Sequence, residues 1–412
     1  MKQKIKSLLR IVSLFFYKYP TLYFSIYKII LVPLRLLDIK TFSKHVNKIN
    51  WLFNFQIIKH TKESRLYFSE IDDFSELDII NDITVYYKKN NANTSGHWQE
   101  NIDSDMKDLH ESLLSSNSDV LCEIYGNMFR QKELHGISAA DFYDPLPHRY
   151  LYLKQKILND IHSFSEFLAT SNVDCPEQSR ITPAFRDNLA KIIHDIETSI
   201  DSNISFPSTS GAFGLLIDEK LITNESIRHI YSSIRLSRLS EILKNKGPLK
   251  ILEIGAGYGG FCYYFSKLNH FEIEKYDIID LPVVNTFQYY FLSNSLERNV
   301  SFFDCKHDDS NIILYPNTHL HRLTHDYDLI INHDSFPEMP EDVVTDYVNF
   351  IGQCSGAIFY SFNHECNAYD RTGAIPQTNV KKIFSGNKLF QIIQRERSWV
   401  REGYVEETYS IK

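Results

Sequence analysis

The chain has 412 residues, of which 43% are hydrophobic, and a formal net charge of −8. This length is too great for one ordinary core and predicts two or three domains. The negative charge disfavours a general nucleic-acid binder, which usually carries a basic domain. The six cysteines form no C-x-x-C pair. We therefore expect reduced thiols in a cytoplasmic protein.

Residues 1–48 form the first predicted segment and differ from the rest, since they hold ten Lys or Arg residues and one acid, Asp38. Their apolar blocks, Ile11–Tyr17 and Leu22–Leu37, do not reach the roughly 18 uninterrupted apolar residues of a spanning helix. No small-residue cleavage site follows, which disfavours a secretory signal. A basic, aromatic-rich helix is typical of a segment lying on an anionic membrane. Peripheral contact with the inner face of the cytoplasmic membrane and packing on protein both stay open.

Residues 248–282 carry the strongest signal in the chain. Leu249–Ile254 form an apolar run that suits a parallel strand buried on both faces. A glycine turn follows, and then a helix from Phe261 to Leu268. The next apolar run ends at Asp280, where a carboxylate can accept both hydroxyls of a ribose. This order of strand, turn, helix, strand and acid predicts a nucleotide-cofactor site.

The identity of the cofactor depends on Glu253. The glycines also satisfy the dinucleotide fingerprint, which alone is weak evidence. A carboxylate two residues before Gly255 would crowd a pyrophosphate, whereas it suits the cationic, phosphate-free S-adenosylmethionine. The pattern therefore favours a class I methyltransferase over a nicotinamide enzyme. The predicted cofactor-binding residues are Glu253, Gly255, Ala256, Gly257, Gly259, Asp280, Leu281, Asp304 and Tyr231.

Strands and helices alternate from residue 248 onward, which predicts a Rossmann-like, mostly parallel sheet of seven strands. Asp304 follows the predicted third strand, Val300–Phe303, and is expected to hold the adenine amino group. The fourth and fifth strands are predicted at Leu329–Asn332 and Ala357–Ser361. A closing antiparallel pair is predicted at Leu389–Arg395 and Tyr404–Ile411. Residues 49–204 are predicted to be a helical domain that precedes this methyltransferase domain of residues 248–412.

Residues 205–247 link the two, as a turn-rich hinge followed by a helix between Thr223 and Leu243. Many methyltransferases place an element that covers the cofactor at this point of the chain. Tyr231 and Arg235 on this helix are therefore candidates for lining the site, with packing as the open alternative.

Three sequence blocks resemble the bacterial sugar O-methyltransferase family: EIGAGYGGFCYYF from residue 253, YDIIDLPVVNTFQYYFLSN from residue 276, and YDLIINHDSFPEMPEDVVTDYVNFI from residue 327. The resemblance covers roughly residues 205–412. It implies methyl transfer from S-adenosylmethionine to a sugar hydroxyl in surface-polysaccharide synthesis. By motif match it gives cofactor roles to Glu253, Gly255, Gly257 and Asp280.

Methyl transfer is an in-line displacement in which the acceptor oxygen must be aligned and must lose its proton. The site of an open parallel sheet lies outside the carboxyl ends of its strands, which brings the loops after Asn332 and Ser361 together. These loops offer His333, Asp334, Glu338 and His364 as catalytic candidates. His333 is the favoured base because a buried strand fixes its position, and an imidazole of ordinary pKa can act at neutral pH.

A less favoured mechanism has Asp334 and Glu338 hold Mg²⁺, which would lower the pKa of the acceptor hydroxyl. Zinc held by the histidines between His307 and His325 is disfavoured because no cysteine accompanies them. Two other functions stay open, a nicotinamide-dependent oxidoreductase or epimerase of nucleotide sugars and a catalytically silent interaction protein. The expected partner is a free, nucleotide-, lipid- or polymer-linked sugar, and no nucleic acid.

Overall fold

The structure of the protein is a computed structural model. It describes residues 64–69, 77–91, 97–134, 137, 147–173, 188–243, 247–296, 300–305, 310–369 and 376–412. The predictions for residues 1–48 lie outside these ranges. In the part of the chain that the structure describes, no helix is long and apolar enough to span a bilayer.

The described residues before residue 205 are mainly helical, as predicted. The helices described there are α1 (Leu77–Asn90), α2 (His97–Asp103), α3 (Lys107–Ser115), α4 (Ser118–Gly126), α5 (Pro147–Phe167) and α6 (Leu189–Ile200). The buried residues of α1 recur at helical spacing, from Ile79 and Ile80 through Ile83 to Tyr86 and Tyr87, which gives this helix one apolar face.

A small antiparallel sheet joins the two ends of the helical region. Its strands are β1 (Ser64–Phe68), β2 (Phe213–Ile217) and β3 (Lys220–Ile222), in that order. Asp218 and Glu219 connect β2 and β3 with positive φ angles of 48° and 63°, the backbone of a tight two-residue hairpin turn. The predicted hinge therefore runs directly into a strand that pairs with residues far back in the chain.

The large sheet has eight strands in the order β10-β11-β9-β8-β4-β5-β7-β6. Their bounds are β4 (Leu249–Ile254), β5 (Ile273–Asp280), β6 (Val300–Phe302), β7 (Ile312–Pro316), β8 (Leu329–His333), β9 (Ile358–His364), β10 (Phe390–Arg397) and β11 (Tyr404–Ile411). Only β11 runs against its neighbours, since it is antiparallel to both β9 and β10. The predicted Rossmann-like class I methyltransferase fold, α/β with a mostly parallel sheet, is confirmed.

Two details of the sheet prediction were wrong. The sheet has eight strands instead of seven, because Ile312–Pro316 forms a strand that was not predicted from the sequence. This strand lies between β5 and β6, so Val300–Phe302 is the outer edge of the sheet and not the neighbour of β5. The predicted closing antiparallel pair is confirmed by β10 and β11, of which only β11 runs against the rest of the sheet.

Helices cover both faces of the large sheet. The helices on this part of the chain are α7 (Asn224–Ser237), α8 (Ser240–Leu243), α9 (Gly260–Leu268), α10 (Pro282–Ser295), α11 (Glu341–Ile351) and α12 (Val380–Phe384). Successive residues of a strand point to opposite faces, so Ile251 belongs to the core under α7, α9 and α10, while Leu252 belongs to the core under α11 and α12. The carboxyl ends of β4, β5, β8 and β9 are left to build the site.

The helical region packs on the same core as α10. The ring of Tyr86 stacks on Phe302 with 3.8 Å between centroids, and its hydroxyl donates to Asn285 Oδ1 at 2.7 Å. The hydroxyl of Tyr125 donates to Thr286 Oγ1 at 2.6 Å. Both hydroxyls are buried and bonded to α10, so the contact between the helical region and the sheet is specific and not only hydrophobic.

Candidate active site

The glycine turn after β4 is pressed between two other segments. Gly255 and Gly257 have φ angles of 71° and 57°, which L side chains rarely adopt. A Cβ added at Gly255 would collide with the Ser335 hydroxyl, and one added at Gly257 would lie 2.6 Å from the carbonyl oxygen of Ile137. Glycine is therefore required at both positions by backbone conformation and by space.

Asp280 at the end of β5 is fixed against this turn. One carboxylate oxygen accepts hydrogen bonds from the Ala256 N–H at 2.9 Å and from Gln288 Nε2 at 2.8 Å, and the other accepts from the Leu281 N–H at 2.8 Å. Burial raises the pKa of Asp280 to about 7, against the lowering effect of these bonds. The structure thus brings together Asp280, Leu281 and the turn residues, as the sequence predicted.

Glu253 lies beneath the turn and does not line an open cleft. Its side chain is 1% exposed, and one oxygen accepts a hydrogen bond from the Tyr276 hydroxyl at 2.7 Å. The other oxygen, Oε1, has no hydrogen-bond partner among the described residues. Burial raises the pKa of Glu253 to about 8. The predicted contact with a cofactor is corrected to a supporting position below the turn, because this carboxyl group is buried.

Tyr231 was wrongly predicted to bind the cofactor. Its side chain is 0% exposed, and its hydroxyl donates to Glu406 on β11. Arg235 donates to the same carboxylate at 2.8 Å, and Phe167 of α5 packs on the Tyr231 ring with 4.8 Å between centroids. These residues tie α7 to β11 and α5, so their polar atoms are committed to packing.

Asp304 does not follow the strand next to β5, as was predicted. It follows the edge strand β6, and its carboxylate forms an ion pair with Lys89 of α1 at 2.7 Å. The inserted strand β7 occupies the position next to β5, where Asp280↔Pro316 is the last pair of the register. The residue that directly follows β7 is Asn317, which was not a candidate from the sequence. Asn317 therefore has the position in the sheet that was predicted for Asp304, the expected adenine contact.

Polar side chains that the sequence prediction missed lock the ends of three strands together. The Asn332 side-chain amide donates to the carbonyl oxygen of Ile254 at 2.9 Å and to Ser335 Oγ at 2.6 Å, and Ser335 donates to the same carbonyl at 3.0 Å. Asn363 of β9 donates to Asn332 Oδ1 at 2.9 Å. An asparagine at the end of the buried run Leu329–Ile331 was the available signal, since burying an amide is costly without partners.

His333 is held in an aromatic setting beside the turn. Its ring centroid lies 4.4 Å from Phe362, 5.4 Å from His229 and 5.8 Å from Phe261. Its Nδ1 is buried without a hydrogen-bond partner among the described residues. Burial, with the nearby His229 and Arg401, lowers the pKa of His333 well below its ordinary value. The imidazole is therefore neutral at physiological pH, and its pKa is tuned, contrary to the expectation of an ordinary value.

Asp334 adopts a strained conformation next to His333. Its φ of 64° lies in the left-handed region, which costs about 1 kcal/mol or more for a residue with a Cβ. Its carboxylate forms an ion pair with Arg401, whose guanidinium lies 3.7 Å from the centroid of the Tyr404 ring. His364 packs its ring on the same Tyr404 at 5.7 Å between centroids. The predicted residues His333, Asp334 and His364 therefore meet around Arg401 and Tyr404, two residues that the prediction missed.

Glu338 completes the group of catalytic candidates. It ends a short 3-10 turn, Phe336–Glu338, and among the described residues its carboxyl group has no hydrogen-bond partner. Burial, and secondarily the charge of Asp334, raises the pKa of Glu338 to about 8. The charge of Asp280 adds a smaller effect in the same direction.

The geometry of the site does not support the alternative mechanism in which Asp334 and Glu338 bind Mg²⁺. Within the described ranges no group of three or more His, Cys, Asp or Glu residues is placed to hold an ion. Asp334, one of the two predicted magnesium ligands, is paired with Arg401.

Solved structures resemble this chain, whereas comparisons of its sequence find no match. No protein-family model matches the chain, and no curated protein matches its sequence. Among solved structures, the magnesium protoporphyrin IX methyltransferase of Synechocystis PCC 6803 with bound SAM is 13% identical over 45% of this chain and 82% of its own, with a TM-score of 0.32.

Two further solved structures are similar to the same extent. The mitomycin 7-O-methyltransferase is 8% identical over 45% of this chain and 55% of its own, with a TM-score of 0.34. The ribosomal protein L11 methylase of Lactobacillus delbrueckii subsp. bulgaricus is 13% identical over 44% of this chain and 79% of its own, with a TM-score of 0.28.

The raised pKa of Glu338 predicts a pH-dependent gain of stability in Glu338→Gln. From about pH 4.5 to pH 8 the unfolded chain ionises this carboxyl while the folded site keeps its proton. The free energy of unfolding of the natural protein therefore falls across this window, and the glutamine variant escapes this loss. We expect the melting temperature of Glu338→Gln, relative to the natural protein, to rise steadily between pH 5 and pH 8.

Glu341→Gln is the matched control, because Glu341 is exposed at the start of α11. Its melting temperature relative to the natural protein should stay level over the same range. If the melting temperatures of Glu338→Gln and the natural protein changed in parallel with pH, the raised pKa of Glu338 would be contradicted.

Proposed function

We propose that this chain is an S-adenosylmethionine-dependent O-methyltransferase that methylates a sugar hydroxyl, in the synthesis of a bacterial surface polysaccharide. The observation that carries the proposal is the junction of two groups of side chains at one edge of the sheet. The glycine turn and Asp280 suit a nucleoside, and His333, Asp334 and Glu338 lie next to them.

The residues present fit S-adenosylmethionine. The turn exposes backbone at positions where any Cβ would collide with neighbours, and Asp280 is held rigidly enough to accept the two ribose hydroxyls. Leu281 and the Ala256 and Gly257 backbone complete the nucleoside side. Glu253 below the turn keeps its proton at neutral pH because its pKa is raised to about 8, so it neither attracts nor repels a charged part of the cofactor. When bound, S-adenosylmethionine supplies an electrophilic methyl group on a sulfonium.

The opposite side of the junction suits a polyhydroxylated acceptor. A sugar hydroxyl donates one hydrogen bond and accepts others, so its site needs both kinds of partner. The Asp334–Arg401 pair offers an acceptor and a donor in fixed geometry, and the Glu338 carboxyl group is unpaired among the described residues. The ring of Tyr404 is covered by the Arg401 guanidinium at 3.7 Å and by the stacked Phe362 ring at 5.5 Å, so it supports the position of Arg401. This mixture supports a sugar more than an apolar acceptor.

His333 is the proposed acceptor of the hydroxyl proton. Its imidazole is neutral at every physiological pH because its pKa is lowered, so no proton has to be removed before it acts. The lowered pKa also makes His333 a weaker base, which would limit the rate unless the acceptor is held in line with the methyl group. Glu338, whose pKa is near 8, is the competing base.

A membrane location is part of the proposal and concerns residues 1–48. Each basic residue near an anionic surface contributes about 1 kcal/mol, so several together would hold the enzyme near lipid-linked acceptors. We expect the full-length protein to float with anionic liposomes at low salt and to remain in the bottom fraction with neutral liposomes. Replacing Lys2, Lys4, Lys6 and Arg10 by Gln should abolish flotation. Flotation that is absent, or indifferent to these replacements, would leave the segment as a packing element.

Asp280→Ala should weaken S-adenosylhomocysteine binding by about 1–3 kcal/mol, the range for hydrogen bonds to a charged group. Isothermal titration calorimetry measures this loss directly. Asp304→Ala is the matched control, because Asp304 lies at the sheet edge in an ion pair with Lys89, and its affinity should stay within about twofold. If NADH or NADPH raised the melting temperature and S-adenosylhomocysteine did not, the proposed function would be wrong.

His333→Ala should reduce single-turnover methyl transfer by at least about a hundredfold, within the roughly 10²–10⁴-fold range for loss of a general base. The affinity for S-adenosylhomocysteine should stay near normal, since no hydrogen bond joins the ring to the turn within the part of the chain that the structure describes. The rate is measured with radiolabelled donor on a sugar panel. A loss below about tenfold in His333→Ala, with a large loss in Glu338→Gln, would transfer the role to Glu338.

A further inference from the structure

We propose that Tyr86, Asn285 and Gln288 are positioning residues for donor binding, because they connect the helical region to Asp280 through an unbroken series of buried hydrogen bonds. These three side chains and Asp280 are called the polar network below. The inference deepens the proposed function and rests on it, since it makes the affinity for the methyl donor depend on a tyrosine of α1, outside residues 248–412.

The polar network begins on α1 and ends at the glycine turn. The Tyr86 hydroxyl donates to Asn285 Oδ1 at 2.7 Å, and Asn285 Nδ2 donates to Gln288 Oε1 at 2.8 Å. Gln288 Nε2 then donates to Asp280 Oδ2 at 2.8 Å and to the carbonyl oxygen of Gly257 at 2.9 Å. Asn285 and Gln288 are three residues apart on α10, so their side chains are neighbours on the surface of that helix.

The orientation of both side-chain amides follows from the end of the network at the turn. The Gly257 carbonyl oxygen can only accept a hydrogen bond, so the Gln288 atom that faces it is the amide nitrogen. The Gln288 oxygen then faces Asn285, which presents its nitrogen there and turns its oxygen to Tyr86. Only a donor can satisfy that oxygen. The amides therefore have one orientation, which the Tyr86 hydroxyl completes from the far end.

Burial makes the members of the network depend on one another. Asn285 and Gln288 are both 0% exposed, and Tyr86 is 1% exposed. A buried amide that loses its partner cannot turn to water instead, so the loss is costly unless the amide moves. Without the Tyr86 hydroxyl, Asn285 Oδ1 has no donor. We expect Asn285 then to move, which loosens Gln288 and with it the carboxylate of Asp280.

Gln288 is the route by which such a change reaches Asp280. The other hydrogen bonds to this carboxylate come from backbone N–H groups, those of Ala256 and Leu281. These bonds belong to the turn and to the end of β5, whereas the bond from Gln288 comes from α10. The side chain of Gln288 therefore determines how the position of Asp280 responds to the helical region.

A second tyrosine makes a similar bond to α10 that does not lead to the turn. The Tyr125 hydroxyl donates to Thr286 Oγ1 at 2.6 Å, and the Thr286 hydroxyl donates to the carbonyl oxygen of Val283 at 2.6 Å. This path ends in the backbone of α10. Tyr125 is also fully buried. Tyr86→Phe and Tyr125→Phe thus each delete one buried hydroxyl bonded to the same helix, and only Tyr86→Phe breaks the polar network.

The test measures S-adenosylhomocysteine and its 2′,3′-dideoxy analogue by calorimetry on the full-length protein. The ratio of the two affinities reports the contact between Asp280 and the ribose hydroxyls. We expect Tyr86→Phe to weaken S-adenosylhomocysteine at least about threefold and to leave the analogue within about twofold, as for residues coupled in one network. The stacking of the ring at position 86 on Phe302 is kept in this variant. Tyr125→Phe is the matched control and should change neither affinity, although both variants should melt at a lower temperature.

The outcomes separate the inference from the proposed function. Equal affinities of the natural protein for the two ligands, or equal effects of Tyr86→Phe and Tyr125→Phe, overturn the inference and leave the donor site intact. If the natural protein binds neither ligand, the proposed function fails, and a double-mutant cycle on the free energy of unfolding decides the inference. Tyr86→Phe and Asp280→Ala should then be non-additive, whereas Tyr125→Phe and Asp280→Ala should be additive. Additive effects in both pairs remove the role of the network.

Discussion

The carbonyl oxygen of Ile254 is the point on which the site depends. It is the last strand carbonyl before the glycine turn, and it accepts hydrogen bonds from both Asn332 and Ser335. On the other side of the turn, Asp280 accepts from the Ala256 N–H. The turn is therefore bonded to both neighbouring strands, β5 and β8. A rigid turn would matter for the proposed function, because methyl transfer tolerates little misalignment between donor and acceptor.

Burial, more than direct pairing, sets the ionisation of the groups around this turn. It raises the pKa of Asp280, Glu253 and Glu338 and lowers that of His333. At neutral pH the site thus contains the protonated acids Glu253 and Glu338, a partly ionised Asp280 and a neutral imidazole. A low-dielectric pocket of this kind strengthens every interaction with a ligand that brings its own charge.

The sequence predicted the parts of the site that depend on local order along the chain. The strand–turn–helix–strand pattern of residues 249–280 is local, and it placed Asp280 against the turn. The strand ends at His333 and His364 were also predictable from apolar runs. The orientation of individual side chains and the insertion of an extra strand were not predictable from the sequence. Nothing local shows that Tyr231 turns towards β11, that Glu253 points below the turn, or that a short run ending in a proline, Ile312–Pro316, inserts beside β5 and displaces Asp304.

The pairing of β1 with β2 gives the helical region a particular topology. Residues 77–200 leave one small sheet and return to it, so their ends are close in space although they are far apart in sequence. They therefore form an insertion between two paired strands, and not a separate domain at the N-terminal end of the fold. This region nevertheless touches the glycine turn, because the Ile137 carbonyl lies against Gly257 and the hydroxyls of Tyr86 and Tyr125 bond to α10. A change in the length or packing of these helices would therefore be transmitted to the turn, and the two parts of the chain have to vary together.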